Sequence, residues 1–293
     1  MATELVAGPE PLRRAYAAAR LTGRSAPLDP RFEEPALARA RRRLAAWLGL
    51  DPPDADEQAR RCLLLQRDRR VHEVLALRAR PALLRRLVDG VAVDGLDAAA
   101  SSRSGLLLVS LHYGPYTTLL WLALARAASA RLLPPPTFLL DRTLDPCLAL
   151  PPDRSAQLAE SGLFPGSALD LVDAATTPVG AWRRLREALA AGRTVVVFAD
   201  PLFLPAAAPR ALPLPIGART LRVPRGVDWI ARSSGCRVAG VAVAPDGDEH
   251  RLTVVPTADA RGALAWLGRR VAEQPAPWEG WMRDQANLDA PAE

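Results

Sequence analysis

The sequence predicts an α/β fold, in which a mostly parallel central sheet flanked by helices follows a helical N-terminal region. Residues 10–90 carry apolar side chains at three- and four-residue spacing, a pattern that indicates helices alone. From about residue 91, short apolar runs alternate with helical patterns, which is typical of parallel strands joined by helical crossovers. We therefore expect a helical region over residues 1–92 and an α/β domain over residues 93–293.

The same patterns predict the individual elements. The N-terminal helices are expected at residues 13–20, 35–48, 54–66 and 71–87, with a helix-start pattern at Asp54 and Glu57. The later helices are expected at residues 117–130, 178–191, 224–233 and 260–273. Apolar runs predict strands at residues 106–111, 137–140, 168–172, 194–198, 237–243 and 251–255. Residues 204–215 are rich in proline and alanine, which favours an irregular loop after a strand end.

The composition is that of a folded protein with a basic surface. The chain has 293 residues, of which 49% are hydrophobic and 24% charged, so it can bury a full core. Its net charge is +6, and it contains no lysine, so all 38 basic residues are arginines. A basic surface suits phosphates, carrier proteins or anionic lipid, although solvated helix faces would give the same arginine clusters. Few aromatics and no zinc-finger or RNA-binding motif argue against nucleic acid.

The cysteines and the apolar segments suggest where the protein works. Cys62, Cys147 and Cys236 are far apart and odd in number, which fits a reducing compartment. The N-terminus lacks the pattern of a signal peptide, and no apolar stretch reaches about 18 residues. We expect a cytoplasmic protein, free or peripherally bound to an anionic inner membrane. Scattered histidines and cysteines predict no metal site, and no cofactor is expected.

The first candidate functional residue is His112. An apolar run over residues 106–111 ends at this histidine, a break follows at Gly114 and Pro115, and a helical pattern begins near Thr117. Reactive side chains lie at such strand exits in open α/β sheets. The unperturbed pKa of histidine, about 6.5, suits proton transfer near neutral pH. A histidine that merely caps the turn is the alternative.

The second candidate is Asp200, which ends the apolar run Val195-Val-Val-Phe-Ala. In a parallel sheet the carboxyl ends of the strands share one edge, so His112 and Asp200 are expected to face one cleft. The alternative is a turn formed by Asp200 and Pro201.

A third element combines arginines with a predicted helix start. The segment 214–220 is followed by Pro224, which suits the first turn of a helix. The amide groups and the dipole of a helix start can bind an anionic group, and Arg219, Arg222 and Arg225 would supply charge. Solvated surface arginines are the alternative.

Four stretches in this order resemble one protein family. They are residues 112–117, 189–200, 212–220 and 277–281. They resemble the bacterial lipid A lauroyl/myristoyl acyltransferases, members of the lysophospholipid acyltransferase superfamily. That family has a strand ending in His-x-x-x-x-Glu or His-x-x-x-x-Asp, a later strand ending in Asp, a proline-containing segment before a helix, and a tryptophan-rich segment near the C-terminus. The resemblance extends from about residue 100 to residue 285.

The resemblance implies a lysophospholipid acyltransferase-like fold and an acyl donor that is acyl-CoA or an acyl carrier protein. It implies that His112 is the general base. Groups near Gly114 or Arg219 would stabilise the oxyanion. The remaining expected substrate-binding residues are Tyr116, Arg142, Arg154, Thr220 and Arg225.

The chain departs from the family at two points. The family's acid, five residues after the histidine, is Thr117 here. A threonine hydroxyl supplies no charge, so four explanations are open: a weak enzyme, replacement by another acid such as Asp200, an acceptor that needs less activation, or lost catalysis. The family's N-terminal membrane helix is replaced by arginine-rich amphipathic helices, which points away from an acceptor buried in the membrane.

We therefore expect an acyltransferase that acts on a hydroxyl or amine of a small-molecule or carrier-bound acceptor in a specialised biosynthetic pathway. One alternative is a catalytically impaired homologue that binds carrier proteins or acyl chains, which Thr117 favours. The other is a thioester hydrolase, in which His112 would activate water without a Gly-x-Ser-x-Gly motif.

Overall fold

The computed structural model describes residues 30–78, 81–100, 104–113, 117–130, 132–133, 136–140, 170–173, 178–200, 211–246, 249–283 and 286–289. Within them the helices are α1 (Pro30–Leu48), α2 (Pro52–Arg78), α3 (Pro81–Asp89), α4 (Leu96–Ala100), α5 (Thr117–Ser129), α6 (Pro178–Ala190), α7 (Gly226–Ser234), α8 (Ala260–Glu273) and α9 (Ala286–Asp289). The strands are β1 (Val91–Asp94), β2 (Leu106–Ser110), β3 (Pro136–Leu140), β4 (Asp170–Asp173), β5 (Thr194–Phe198), β6 (Ala211–Ile216), β7 (Arg219–Pro224), β8 (Arg237–Asp246) and β9 (Glu249–Thr257). A short 3₁₀-helix spans Glu279–Trp281.

A seven-stranded, mostly parallel sheet forms the centre, in the order β1-β9-β8-β2-β5-β3-β4. Strands β8, β2, β5, β3 and β4 run in one direction. Strand β9 forms an antiparallel hairpin with β8, and β1 pairs parallel with β9 at the edge. The predicted α/β class, with a mostly parallel sheet flanked by helices, is therefore confirmed.

Helices cover both faces of the sheet, which explains why its central strands are apolar throughout. In β2, Leu107 and Val109 belong to one buried cluster, whereas Leu106 and Leu108 belong to another. The first cluster contains residues of α1, α2, α6, α7 and α8, and the second contains residues of α3, α4 and α5. Alternate side chains of one strand thus enter two cores, as expected of a strand buried on both sides.

The N-terminal helices share a hydrophobic core with the sheet. Leu44 and Trp47 of α1 and Cys62 of α2 lie in the same buried cluster as Leu107 of β2. The predicted boundary at residue 92 falls inside β1, which is part of the sheet. The first predicted helix, over residues 13–20, lies outside the described residues.

Two of the predicted N-terminal helices have different bounds in the structure. A single helix, α2, spans the segment expected at 54–66 and the first part of the segment expected at 71–87, and a separate helix, α3, begins at Pro81 within the second of these. Asp51, and not Asp54, lies before the helix start and accepts a hydrogen bond from the backbone N–H of Asp54 at 3.0 Å. The two prolines after Asp51 suit the first helical turn because their missing N–H groups have no partner there anyway.

The predicted loop over residues 204–215 is wrong from residue 211 onward. Residues Ala211–Ile216 form β6, which pairs antiparallel with β7. Leu212, Leu214 and Ile216 are buried, whereas the prolines between them are exposed. A two-stranded ribbon leaves one side of each strand unpaired, so proline is tolerated there. Thr220 consequently lies in a hairpin, and the next helix starts at Gly226 and not at Pro224.

Across the described part of the chain, no helix combines the length and the apolar character needed to cross a membrane.

Replacing Gly268 by alanine should destabilise the protein by about 1–3 kcal/mol, because the new Cβ would overlap the carbonyl oxygen of Pro215 in β6. Urea unfolding measures the effect. Gly262 in the same helix is the matched control, since a Cβ there would approach Thr257 Cβ only to 3.2 Å. Equal stabilities of the two variants would contradict close packing of α8 on the hairpin.

Candidate active site

His112 and Asp200 lie side by side at the carboxyl edge of the sheet. Strands β2 and β5 are parallel neighbours, with Ser110 opposite Phe198. The ladder continues one residue further, because the Ala199 N–H donates to the Ser110 carbonyl at 2.8 Å. His112 and Asp200 follow at the same level, and His112 Nδ1 is 2.8 Å from Asp200 Oδ1. The structure thus brings together the two residues that the sequence placed at one edge.

The Asp200 side chain is fully buried and has three hydrogen-bond donors. The backbone N–H of His112 lies 3.1 and 3.0 Å from its two oxygens. The Nδ1 of His112 donates to Oδ1, and the indole Nε1 of Trp278 donates to Oδ2 at 3.0 Å. These contacts fix the carboxylate in one orientation and satisfy both of its oxygens.

This arrangement determines the tautomer of His112. A carboxylate only accepts, so we assign the ring proton to Nδ1, which leaves Nε2 as the basic nitrogen. The ring lies 4.9 Å from the Phe198 ring, measured between centroids, and its side chain is 20% exposed. The imidazole is therefore held by one acid and one aromatic ring while a reactant can still reach it.

Hydrogen bonds join the backbone around His112 to the C-terminal segment, residues 274–283. The Tyr113 N–H donates to the Leu111 carbonyl at 2.6 Å, which makes a tight three-residue turn centred on His112. The His112 carbonyl accepts from the Glu279 N–H at 3.0 Å. Tyr113 also forms an isolated β-bridge with Trp278. The C-terminal segment thus holds both the exit of β2 and the carboxylate of Asp200.

Three tryptophans form a cluster behind Asp200. The ring of Trp278 meets Trp281 edge-on at 4.8 Å between centroids, and Trp281 meets Trp47 of α1 at 6.1 Å. Each indole N–H has an acceptor: Asp200 for Trp278, the Pro275 carbonyl for Trp281 and the Leu288 carbonyl for Trp47. This tryptophan cluster connects α1 to the candidate site.

Arg43 of α1 holds the same segment through its buried guanidinium. It donates to the two carboxylate oxygens of Asp289 at 2.9 and 2.6 Å. It also donates to the carbonyls of Gly280, Trp281 and Arg283. Burying a guanidinium is costly unless it is paired and hydrogen-bonded, and here both conditions are met.

Sequence reasoning missed the roles of Arg43 and Trp278. The signal for Arg43 was present, because it falls between Ala40 and Trp47 on the buried face of α1 and not on its solvent face. Trp278 lies in the tryptophan-rich stretch 277–281 that resembles the family. Nothing in the neighbouring sequence indicates that its N–H reaches Asp200, 78 residues away.

A cleft of about 400 Å³ lies between α2 and the segment that precedes Trp278, and among the described residues neither His112 nor Asp200 lines it. One wall is the segment from Gln274 to Pro277. The Tyr113 hydroxyl donates to the Gln274 carbonyl at 2.6 Å, and burial raises the pKa of this hydroxyl above its ordinary range, so it stays a donor. The cleft is lined by Gln58, Arg61, Leu64, Leu65, Pro245, Glu273, Gln274, Pro275, Ala276 and Pro277. Its apolar residues suit a hydrocarbon chain.

The remaining predicted site residues fall in other places. Thr117 is the first residue of α5. Arg219 lies over the Trp47 ring at 6.0 Å, and Thr220 is exposed on β7. Gly114, Tyr116, Arg142 and Arg154 lie outside the described residues.

The predicted anion site at the helix start has an acid of its own. Arg225 is the N-cap residue of α7, and its side chain makes no capping hydrogen bond. Asp228, in the first turn, pairs with Arg232 at 2.5 Å and lies 3.8 Å from Arg225. A carboxylate of the chain thus faces the positive end of this helix.

The described residues were compared with the groupings that bind metals and with the environments that activate thiols. They contain no group of three or more histidines, cysteines, aspartates or glutamates that could hold a metal. Burial raises the pKa of Cys62 to about 12 and also raises that of Cys236, so both stay protonated at neutral pH.

No family model matches this chain, and no curated protein matches its sequence. The likeness to the lipid A acyltransferases therefore stays an interpretation of four motifs.

The Arg43–Asp289 pair predicts a pH dependence. Hydrogen bonding to Arg43 lowers the pKa of Asp289, so its stabilising effect is present at neutral pH and is lost as the pH falls through that lowered pKa. The difference in unfolding free energy between the native chain and Asp289→Asn should be largest near pH 7 and should shrink below about pH 4. Urea unfolding across this range measures it. A difference independent of pH would show that the pair contributes nothing through charge.

Proposed function

We propose that this chain is an acyltransferase. It moves an acyl group from an acyl-CoA or acyl-carrier-protein thioester to a hydroxyl or amine of a small-molecule or carrier-bound acceptor, in a specialised biosynthetic pathway. The observation that carries the proposal is the contact between His112 Nδ1 and the buried carboxylate of Asp200. The proposed place of action is the cytoplasm or the inner face of the membrane.

In the proposed reaction, His112 Nε2 takes the proton of the acceptor hydroxyl or amine as the acceptor attacks the thioester carbonyl carbon. The tetrahedral intermediate then collapses, the carbon–sulfur bond breaks, and the imidazolium returns the proton to the leaving thiolate. The negative charge of Asp200 stabilises the imidazolium between these two steps. The thioester is a substrate, and no bound cofactor takes part.

Asp200 fills the role that Thr117 leaves open. The family that the motifs resemble places its acid on the helix after the histidine, at the position of Thr117 here. In this chain an acid at the exit of the neighbouring strand reaches Nδ1 instead. Of the four explanations for Thr117, replacement by another acid is therefore the one that the contacts support.

The cleft beside Tyr113 supports an acyl substrate. In one wall of the cleft, the Gln274 carbonyl accepts a hydrogen bond from the Tyr113 hydroxyl, and the same segment continues into Trp278, which donates to Asp200. We propose that the acyl chain lies in this cleft. Leu64, at 40% exposure, is an apolar side chain of α2 that an acyl chain would cover. Arg61 and Glu273 in the same lining supply a polar rim.

Hydrolysis of the thioester is the second candidate, because the same pair could activate water in place of an acceptor. The partial exposure of His112 favours it, since water can reach the ring. Products distinguish the two: hydrolysis releases free acid, and transfer gives an acylated acceptor.

Asp200→Asn should lower the turnover of acyl thioesters about 10²- to 10⁴-fold, and His112→Ala at least as much, since general-base catalysis contributes that range. Thr117→Ala is the matched control and should change the rate only a few-fold. The assay follows transfer and hydrolysis by mass spectrometry for a panel of acyl-CoA and acyl-carrier-protein donors, with amine and alcohol acceptors.

Two outcomes would contradict parts of the proposal. Turnover that survives in Asp200→Asn but falls in Thr117→Ala would assign the acid's role to the helix after His112. Carrier-protein binding without turnover, equal in the native chain and His112→Ala, would identify a binding protein.

Leu64→Trp should narrow the cleft and lower kcat/KM for long-chain donors about tenfold or more, while short-chain donors change little. Each buried methylene contributes about 0.8 kcal/mol, so losing contact with two of them suffices for a tenfold effect. Leu132→Trp is the control, because Leu132 is also exposed but lies outside the cleft lining. An equal loss for all chain lengths would place the acyl chain elsewhere.

A further inference from the structure

The indole of Trp278 reaches the candidate acid from outside the two strands that carry the pair. Its Nε1 donates to Asp200 Oδ2 at 3.0 Å, whereas His112 Nδ1 contacts Oδ1. Trp278 and the side chain of Asp200 are both fully buried, so bulk water does not compete for this contact. One carboxylate thus joins two ring N–H groups that belong to distant parts of the chain.

Close packing fixes the Trp278 ring in this position. A Cβ at Gly280 would overlap the six-membered ring of the indole, so the backbone there approaches the ring as only glycine allows. The Trp281 ring meets it edge-on at 4.8 Å between centroids. The backbone is held as well, because Trp278 forms a β-bridge with Tyr113. The N–H is therefore directed at Asp200 by the surrounding structure.

This hydrogen bond acts differently on the two protonation states of the pair. With the imidazole neutral, the pair carries one negative charge on a buried carboxylate. One added proton makes the pair neutral overall, whether it lies on the imidazole or on the carboxylate. A donor stabilises the net negative state more than the neutral one. The N–H of Trp278 therefore favours the state in which His112 can accept a proton.

We propose that Trp278 is a positioning residue that keeps the His112–Asp200 pair in its basic state at neutral pH. It acts through Asp200 and not on the substrate. Its effect on turnover rests on the proposed function, whereas its effect on the protonation of the pair does not. Arg43 binds carbonyls of the segment that carries Trp278, so α1 supports the same role.

The elements packed around Trp278 carry other charged and titratable side chains. Three ion pairs lie among them: Glu279–Arg283 in the C-terminal segment, Arg270–Glu273 in α8, and Arg43–Asp289 between α1 and α9. The Tyr113 hydroxyl and the Arg39 guanidinium donate to backbone carbonyls. Replacing Trp278 changes none of these charges, so a changed titration of the pair reports on the indole N–H.

NMR titration of the three histidines against pH tests this role, with His112→Ala identifying the signal of His112. In Trp278→Phe the midpoint of the His112 titration should rise by about one pH unit, a tenfold change in the protonation equilibrium, since a hydrogen bond to a charged group contributes at least that much. Trp281→Phe is the matched control. It removes the same atoms from the same cluster, but its N–H donates to the Pro275 carbonyl, so the midpoint should not change.

A second replacement keeps the shape of the ring. In 3-benzothienylalanine a sulfur atom takes the place of the indole N–H, so this residue at position 278 should raise the midpoint as Trp278→Phe does. It remains a test if the phenylalanine variant unfolds. Urea unfolding checks the fold of each variant. A merely structural role predicts a similar loss of stability in Trp278→Phe and Trp281→Phe, and no difference between their titrations.

The pH dependence of turnover gives a separate measurement. General-base catalysis needs the unprotonated imidazole, so the acid limb of the kcat/KM profile should move to higher pH by about one pH unit in Trp278→Phe. The rate on the alkaline side should change only a few-fold, because His112 and Asp200 are both still present.

The outcomes separate this role from the proposed function. A raised midpoint in both Trp278 replacements, absent in Trp281→Phe, supports the role, and it does so even if the native chain turns over no thioester. An unchanged midpoint in a folded Trp278 replacement, or an equal rise in Trp281→Phe, would overturn the inference. A raised midpoint with an unmoved acid limb in an active enzyme would overturn the link to turnover.

Discussion

Three separate parts of the chain meet at the buried carboxylate of Asp200. Asp200 itself follows strand β5. The backbone N–H and the Nδ1 of His112, which follows β2, both contact it, and the Nε1 of Trp278 in the C-terminal segment donates to it. A buried carboxylate without donors would be strongly unfavourable, so these three parts stabilise one another through it. The same contacts that satisfy the acid also set the tautomer of His112. The packing of the sheet edge and the tautomer of His112 therefore depend on one small hydrogen-bond network.

The N-terminal helices take part in this network from a distance. Arg43 binds the carbonyls of the segment that carries Trp278, and Trp47 packs against Trp281. In this way α1 positions the tryptophan that contacts Asp200. Helices that read as a separate basic region in the sequence are structurally part of the candidate site. The apolar cleft is also lined in part by residues of α2.

Because Asp200 contacts Nδ1, a threonine at position 117 does not leave His112 without an acid. A missing acid on the helix after a reactive histidine suggests lost catalysis when that helix alone is considered. Parallel strands place their carboxyl ends side by side, however, so a neighbouring strand can supply the acid from 88 residues further along the chain. In the proposed reaction the requirement is a negative charge at Nδ1, and here Asp200 at the exit of β5 meets it.

The sequence by itself determined the fold class, most of the strands and helices after residue 91, and the common edge of His112 and Asp200. These follow from local apolar periodicity and from the geometry of parallel sheets. Only the tertiary structure decided the hairpin over residues 211–224, the buried position of Arg43 and the Trp278 N–H bond to Asp200. The physical reason is that periodicity reports which face of an element is buried and not which distant residue it meets. Contacts across 78 or 246 residues depend on how helices, hairpin and C-terminal segment pack together.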